Sequence, residues 1–198
     1  MQSKEKNAKI RSMNRIAILF SGKGSNFASI VKRLHKQKLE VVVALTNNPN
    51  AEGIAVAKEY NIPLEIVDSK VYESREAFDT VVVDRLGKYK PELTVLAGFM
   101  RILTPVFTEN VKSVNLHPSL LPRHKGLNAI EKSYDDAFEN GGVTVHYVSS
   151  ELDGGEIVLQ KEISKEGLSF DIFDKKIRIL EKEVLREAIV KVLSEEQE

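Results

Sequence analysis

Cysteine is absent from this sequence of 198 residues. That absence excludes disulfide bonds, thiolate metal sites and cysteine nucleophiles, and it is compatible with a reducing compartment. Long apolar runs are also absent. No stretch approaches the roughly 18 apolar residues of a membrane span, and the polar, basic first 13 residues do not resemble a signal peptide. We therefore expect a cytoplasmic protein that has no membrane partner.

The sequence also lacks a surplus of charge of either sign: it contains 29 Lys and Arg residues and 29 Asp and Glu residues. Proteins that hold a long polyanion usually carry a basic surplus, since neutralising phosphates supplies most of their affinity. The balance disfavours nucleic acid as the main partner. Three of the four histidines, His35, His124 and His146, show no metal-ligand spacing with one another, and we predict no metal site.

Apolar runs alternate with amphipathic stretches along the first half of the chain. Buried strands are predicted at residues 15–20, 41–45, 64–67 and 93–97, and helices between them near residues 26–34, 54–60 and 74–88. Strands and helices that alternate at this spacing form a parallel sheet with crossover helices on both faces. The near-continuous apolar character of the strands is typical of such a sheet.

The alternation of strands and helices changes after a further central strand that ends near Leu116. A helix is predicted over residues 130–139, a break at Gly142, two strands at 144–148 and 157–160 that pair antiparallel, and a long amphipathic helix over 170–193. These elements predict an α/β fold: a Rossmann-like, mostly parallel sheet with helices on both faces and an antiparallel C-terminal edge. Because repeats and linkers are missing, we expect one domain over residues 14–198 after a flexible N-terminal extension, residues 1–13.

A glycine-containing segment, Gly22-Lys23-Gly24-Ser25-Asn26, joins the first strand to the first helix. Glycines let the backbone approach an anion closely, and a helix N-terminus presents free N–H groups to it. The segment is neither a dinucleotide fingerprint nor a P-loop. Its position favours a phosphate site, because open α/β sheets bind ligands at the carboxyl ends of strands. The alternative is a tight turn with a good helix cap.

A second candidate site follows the central strand, where Pro118 and Pro122 fix the backbone. Asn115 and His117 are two residues apart on an extended segment and therefore project to the same side. A carboxamide beside an imidazole can stabilise an oxyanion and handle a proton. The alternative is a structural histidine bonded to backbone groups and an asparagine that closes a turn.

Two further segments carry chemistry only if the fold brings them to these residues. Asp153 lies in a segment whose composition is that of a turn. In the functional hypothesis it contacts His117, stabilises the imidazolium and raises the pKa of that histidine. Residues 97–103 follow a strand and either line an apolar slot or only pack on the core. Arg75, at the start of a helix, is either a ligand contact or simply solvated.

Five stretches, taken in order, carry a resemblance to a known family: residues 21–26, 74–79, 96–103, 115–122 and 151–155. The chain resembles the folate-dependent formyltransferases from about residue 14 to at least residue 193. Residues 115–122 and 152–155 recur, with changes, across that family, whereas residues 21–26 and 98–103 point to its purine-pathway branch. Residues 123–128 differ from the Pro-Gly version common in bacterial members, a difference that leaves the catalytic residues unaffected.

The resemblance implies transfer of a formyl group from 10-formyltetrahydrofolate, a co-substrate, to the amine of glycinamide ribonucleotide, without a metal. Both partners are small molecules, and the expected oligomeric state is a monomer or a homodimer. The residues implied for the ribonucleotide are Gly24, Ser25, Asn26 and Glu181. Those implied for the folate are Arg75, Met100, Arg101, Ile102, Leu103 and Asn115. The catalytic residues implied are Asn115, His117 and Asp153.

Three alternatives share this fold. Methionyl-tRNA formyltransferases carry a further C-terminal tRNA-binding domain, and formyltetrahydrofolate deformylases normally carry an extra N-terminal domain; we expect neither domain in this chain. The third alternative is a ligand-binding module without activity, against which the presence of Asn115, His117 and Asp153 argues.

Overall fold

The computed structural model describes residues 13–195, so the predicted N-terminal extension lies outside the described residues except for Met13. The strands are β1 (Asn14–Phe20), β2 (Leu39–Thr46), β3 (Leu64–Ile66), β4 (Leu93–Leu96), β5 (Ser113–His117), β6 (Asn140–Tyr147) and β7 (Ile157–Ser164). The helices are α1 (Ser25–Leu34), α2 (Ile54–Glu59), α3 (Arg75–Gly87), α4 (Pro105–Thr108), α5 (Ala129–Asp135) and α6 (Phe170–Glu195).

The strands form one sheet in the order β3-β2-β1-β4-β5-β6-β7. The first five strands of the chain pair parallel, and β6 pairs antiparallel with both β5 and β7. The predicted fold class, a mostly parallel sheet with an antiparallel C-terminal edge, is confirmed. The register of β5 and β6 sets Asn115 opposite His146 and His117 opposite Thr144.

Helices cover both faces of the sheet because the strands are apolar on both faces. Ile16 and Ile18 of β1 belong to a core cluster that includes the buried residues of α1 and α6. The alternate residues Ala17 and Leu19 belong to a second cluster with the buried residues of α3 and with Phe107 of α4. Successive side chains of a strand point to opposite faces, so one strand contributes to two cores.

The predicted C-terminal end of the helix over residues 130–139 is wrong, and so is the predicted break at Gly142. The helix ends at Asp135, and Gly141 and Gly142 are residues of β6. A Cβ on Gly141 would lie 2.4 Å from the Phe173 ring, and one on Gly142 would lie 2.3 Å from the Lys161 carbonyl oxygen. These glycines therefore permit close packing within a strand instead of ending an element.

A crevice is expected where the strand order reverses. The chain runs from β1 outward to β3 and then returns to β4 on the other side of β1. Ligands of open α/β sheets bind at such a switch point, at the carboxyl ends of the strands. The segments that leave β1, β4 and β5 start at this edge of the sheet.

Candidate active site

The segment after β1 leads directly into α1, and Gly24 adopts a left-handed backbone with φ 70°. A Cβ at this position would lie 2.7 Å from the Cα atom of Gly53. Both the backbone conformation and this close approach therefore require glycine. No side chain caps the N-terminus of α1, so the N–H groups of its first turn are available to an anion.

Asn26 and Glu181, both implied for ribonucleotide binding, lie together although α1 and α6 are far apart in the sequence. The side chain of Asn26 is hydrogen-bonded to Glu181, and Arg178 donates to Glu181 Oε1 at 3.3 Å. Both residues are buried. Burial raises the pKa of Glu181, and the charge of Arg178 opposes this effect. Among the described residues, Asn26 Oδ1 has no hydrogen-bond partner.

The segment after β4 is tied to the segment after β1 through Ser21. The Met100 amide donates to Ser21 Oγ at 2.8 Å, and the Ser21 amide donates to the Gly98 carbonyl at 3.0 Å. The side chains of Met100 and Ile102 are 67% and 56% exposed. They offer apolar surface beside the segment that follows β1, which is what an apolar slot would require.

Arg101 and Leu103 pack inward instead. The guanidinium carbon of Arg101 lies 5.3 Å from the centre of the Phe78 ring, and Leu103 packs against the second core cluster. The segment ends at Thr104, whose amide and hydroxyl donate to Asp79 Oδ2 of α3 at 2.6 and 2.7 Å. Arg75 is exposed at the first position of α3 and is thus carried by the helix that anchors this segment.

Asn115, His117 and Asp153 form one cluster. Asp153 Oδ2 lies 3.4 Å from His117 Nδ1, and Asn115 Nδ2 donates to Asp153 Oδ1 at 3.3 Å. The β5 strand supplies the first two side chains on one face, and the loop between β6 and β7 supplies the third. Asp153 has φ 48°, and a Cβ on Gly155 would lie 1.8 Å from the Tyr147 carbonyl oxygen. The second glycine therefore lets this loop pass close to β6.

His146, for which the sequence indicated no role in this site, completes the cluster. It is buried, and its Nε2 lies 3.3 Å from Asn115 Nδ2 and 3.5 Å from Asp153 Oδ1. No local sequence pattern indicated this position, because it is the antiparallel register of β5 and β6 that sets His146 directly opposite Asn115.

Two backbone groups of the segment after β5 also reach the cluster. His117 Nε2 donates to the His124 carbonyl at 2.8 Å, and the Gly126 amide donates to Asp153 Oδ2 at 2.9 Å. No sequence pattern predicts these contacts, because every residue carries the same backbone groups.

The charge of Asp153 raises the pKa of His117, as expected, but the net pKa of His117 lies below its usual value. Burial lowers the pKa of His117 and outweighs the opposing effects of the Asp153 charge and the His124 carbonyl. Burial also raises the pKa of Asp153, but hydrogen bonds from His146 and Gly126 and the charge of His117 hold it below the usual range. Asp153 is therefore a carboxylate near neutral pH.

This arrangement suits acyl-group chemistry. An imidazolium paired with a carboxylate can donate a hydrogen bond or a proton to a developing oxyanion, and a carboxamide beside it can add a second donor. Within residues 13–195, no group of three or more His, Asp and Glu side chains is placed to hold a metal ion. In the same range, no helix is long and apolar enough to cross a membrane.

Comparison with known proteins identifies relatives that span most of the chain. The formyl transferase family matches residues 14–189. Phosphoribosylglycinamide formyltransferase of Escherichia coli is 36% identical over 152 residues, which are 75% of this chain and 72% of that protein. The trifunctional purine biosynthetic protein adenosine-3 of Bos taurus is 34% identical over 185 residues, 91% of this chain but only 18% of the bovine protein.

Solved structures agree with the sequence relatives. The crystal structure of phosphoribosylglycinamide formyltransferase from Campylobacter jejuni subsp. jejuni matches with a TM-score of 0.90 and 46% identity, over 92% of this chain and 100% of that one. The corresponding enzyme from Bacillus halodurans matches with a TM-score of 0.85 and 34% identity, over 91% and 96% of the two chains. The chain therefore belongs to the formyl transferase family, as its motifs indicated.

Proposed function

We propose that this protein transfers a formyl group from 10-formyltetrahydrofolate to the amine of glycinamide ribonucleotide, a step of purine biosynthesis. The observation that carries the proposal is the cluster of Asn115, His117 and Asp153 at the same edge of the sheet as the uncapped N-terminus of α1. The cluster supplies groups for acyl transfer, and the helix supplies a phosphate site. The relatives from Escherichia coli and Campylobacter jejuni carry the name of this activity.

The ribonucleotide binds with its phosphate at the first turn of α1. Gly24, Ser25 and Asn26 form that turn and its entry, and a helix N-terminus favours an anion through its free N–H groups and its dipole. Glu181, which is hydrogen-bonded to Asn26, contacts the polar groups of the same ligand. The unpartnered Oδ1 of Asn26 supports this assignment, because a buried polar atom without a partner is costly unless a ligand satisfies it.

The folate binds against the segment after β4. Met100 and Ile102 supply exposed apolar surface for a flat aromatic ring system, and the backbone between them supplies polar groups. Arg101 and Leu103 support this segment from the core side, and Arg75 approaches from α3. Asn115, at the end of β5, faces both ligands.

The reaction forms a bond between the substrate amine and the formyl carbon and breaks the bond between that carbon and a folate nitrogen. Negative charge develops on the formyl oxygen, and Asn115 donates a hydrogen bond to it. Protonated His117 donates a second one from Nδ1, because its Nε2 already donates to the His124 carbonyl. Asn115 Nδ2 donates to Asp153 Oδ1 at 3.3 Å, and this long hydrogen bond is weaker than one to a developing oxyanion. Asp153 favours the imidazolium, and the proton lost by the amine replaces the broken bond on the folate nitrogen. The protein needs neither a covalent intermediate nor a metal for these steps.

We propose that residues 14–198 act as one domain in the cytoplasm, as a monomer or a homodimer, on small-molecule substrates without nucleic acid or membrane partners.

A formyl-transfer assay tests the proposed function. Purified protein is supplied with 10-formyltetrahydrofolate and one of three acceptors: glycinamide ribonucleotide, charged initiator tRNA or water. We expect turnover with the ribonucleotide. Turnover with tRNA or water alone identifies a different family member, and absence of turnover with all three leaves a binding protein.

A further inference from the structure

We propose that His124 is a positioning residue, whose side chain is held by Asp136 so that backbone groups of residues 123–126 contact His117 and Asp153. We call residues 123–126 the clamp segment. The inference rests on the proposed function, because it concerns the two residues to which we assign proton handling. The clamp segment differs from the sequence that is common in bacterial members of the family, so the family motifs do not explain its contacts.

The clamp segment contacts both members of the catalytic pair through its backbone. The His124 carbonyl accepts from His117 Nε2 at 2.8 Å, and the Gly126 amide donates to Asp153 Oδ2 at 2.9 Å. A carbonyl dipole favours the imidazolium, and an amide donor favours the carboxylate. Both contacts therefore stabilise the charged forms of the pair.

The position of the clamp segment depends on an anchor outside the cluster. His124 Nε2 lies 2.6 Å from Asp136 Oδ2, immediately after α5. Lys165 Nζ lies 2.7 Å from Asp136 Oδ1, and Arg123 NH1 lies 3.6 Å from Asp136 Oδ2. Lys165 also donates to the Ser133 carbonyl at 2.7 Å, which fixes the C-terminal end of α5. The anchor is thus a largely buried carboxylate held by three basic side chains.

The backbone of His124 explains why a side-chain anchor is needed. Its φ is 56°, in the left-handed region that side chains other than Asn, Asp and His rarely adopt. A residue held in such a conformation persists when its surroundings fix it. The hydrogen bond from the imidazole to Asp136 fixes the side chain of His124, and Ser119 Oγ donates to the neighbouring Arg123 carbonyl.

The clamp also decides which nitrogen of His117 takes up a proton. Because Nε2 donates to the His124 carbonyl, the neutral imidazole carries its hydrogen there and leaves Nδ1 bare. Nδ1 then lies 3.4 Å from Asp153 Oδ2, so two hydrogen-bond acceptors face each other. Protonation of Nδ1 turns it into a donor and removes their repulsion. The titratable groups that face His117 are Asp153, His146 and His124. Those around His124 are Asp136, Arg123 and Lys165.

Two variants of His124 separate the effect of its hydrogen bond to Asp136 from the effect of its side-chain size. In His124→Asn the backbone keeps a residue that tolerates φ 56°, but the amide ends at the level of Nδ1 and cannot reach Asp136. In His124→Gln the amide reaches the level of Nε2 and can restore the hydrogen bond, although glutamine suits this backbone less well. The control is His35→Asn, because His35 lies at the opposite end of the sheet and its Nδ1 accepts from the Val41 amide.

The measurement is an NMR titration of His117 with labelled imidazole, together with thermal unfolding and the pH profile of kcat/KM. We expect His124→Asn to lower the pKa of His117 by roughly 0.5 to 1 pH unit, the effect of weakening one hydrogen bond to a charged group. The alkaline limb of the kcat/KM profile moves by the same amount, and His124→Gln restores most of both. The control leaves the pKa of His117 unchanged.

An unchanged His117 titration in His124→Asn, with or without a lower melting temperature, overturns the proposal and leaves His124 as a structural residue. A shift that His124→Gln does not reverse overturns the role of the Asp136 anchor. The titration needs no substrate. A wild-type protein without formyl-transfer activity therefore defeats the proposed function while the clamp remains tested by the pKa values.

Discussion

Asp153 Oδ2 lies 3.4 Å from His117 Nδ1, and the two side chains are only 7% and 6% exposed. Burial therefore works against the imidazolium while the carboxylate works for it, and the pKa of His117 settles below its ordinary value. A lower pKa makes the imidazolium of His117 a stronger acid when it forms.

Replacing the carboxylate tests this balance. We expect Asp153→Asn to lower the pKa of His117 further, by roughly 1 pH unit or more, because an opposite charge at this distance stabilises the imidazolium. The alkaline limb of kcat/KM should move downward with it, since less imidazolium remains at a given pH. NMR titration measures the shift in the pKa of His117. The control is Asp135→Asn, which removes an exposed carboxylate at the end of α5. An unchanged titration would leave Asp153 as an ordinary turn residue.

Removing the carboxamide tests the oxyanion role. We expect Asn115→Ala to lower kcat roughly 100- to 1000-fold, the usual effect of losing one preorganised donor. Steady-state kinetics and thermal unfolding are compared with Asn110→Ala, which removes an exposed asparagine bonded to the Val106 carbonyl outside the site. Near-wild-type turnover in Asn115→Ala excludes the carboxamide as an essential donor.

A negative charge at the first turn of α1 tests the phosphate site. Ser25 is exposed at the first helical position, where an acidic residue stabilises the helix through its dipole. We expect Ser25→Asp to keep or raise the melting temperature while it raises KM for the ribonucleotide roughly tenfold or more by repelling the phosphate. Ser25→Asn, of the same size without charge, is the control. Equal KM values in the two variants would place the phosphate elsewhere.

Gly24 is a poor position for the same test. Valine there would need a positive φ, and its Cβ would overlap Gly53, so the variant would lose stability whether or not a phosphate binds. A raised KM in such a variant would report a distorted loop.

Acid stability tests the anchor of the clamp segment. Burial alone raises the pKa of Asp136, but Lys165 and His124 lower it to about 2. A folded-state pKa below the unfolded value contributes stability above the unfolded value and loses it as pH falls through the folded one. We expect Asp136→Asn to lower the free energy of unfolding by about 2 kcal/mol at pH 7, and the difference to vanish between pH ~4 and ~2. Asp135→Asn serves as the exposed control in denaturant titrations. A pH-independent difference would mean that packing, not charge, causes the loss.

Local patterns in the sequence were sufficient for the architecture and for the nearest parts of the site. The alternation of apolar strands with helices predicted the parallel sheet, because each strand buries both faces. The spacing of Asn115 and His117 placed both side chains on one face of β5, since side chains alternate along a strand. The motif at Gly24 indicated a loop at the carboxyl end of β1, where the structure has it.

Tertiary structure decided what depends on distant segments. His146 reaches Asn115 only through the antiparallel register of β6, and Glu181 reaches Asn26 only because α6 packs beside α1. Gly142 lies within a strand because Lys161 and its neighbours approach it closely, which a local breaker rule does not detect. Pattern rules use sequence neighbours, whereas these contacts join residues from separate elements.

The pKa of His117 shows the same division most clearly. The sequence allowed only the hypothesis that Asp153 contacts His117, and that hypothesis predicts the sign of this one interaction. The net direction depends on how completely the surrounding strands and the clamp segment remove His117 from water. Desolvation sums over every atom packed around a group, whichever part of the chain supplies it, so only the folded structure fixes its size.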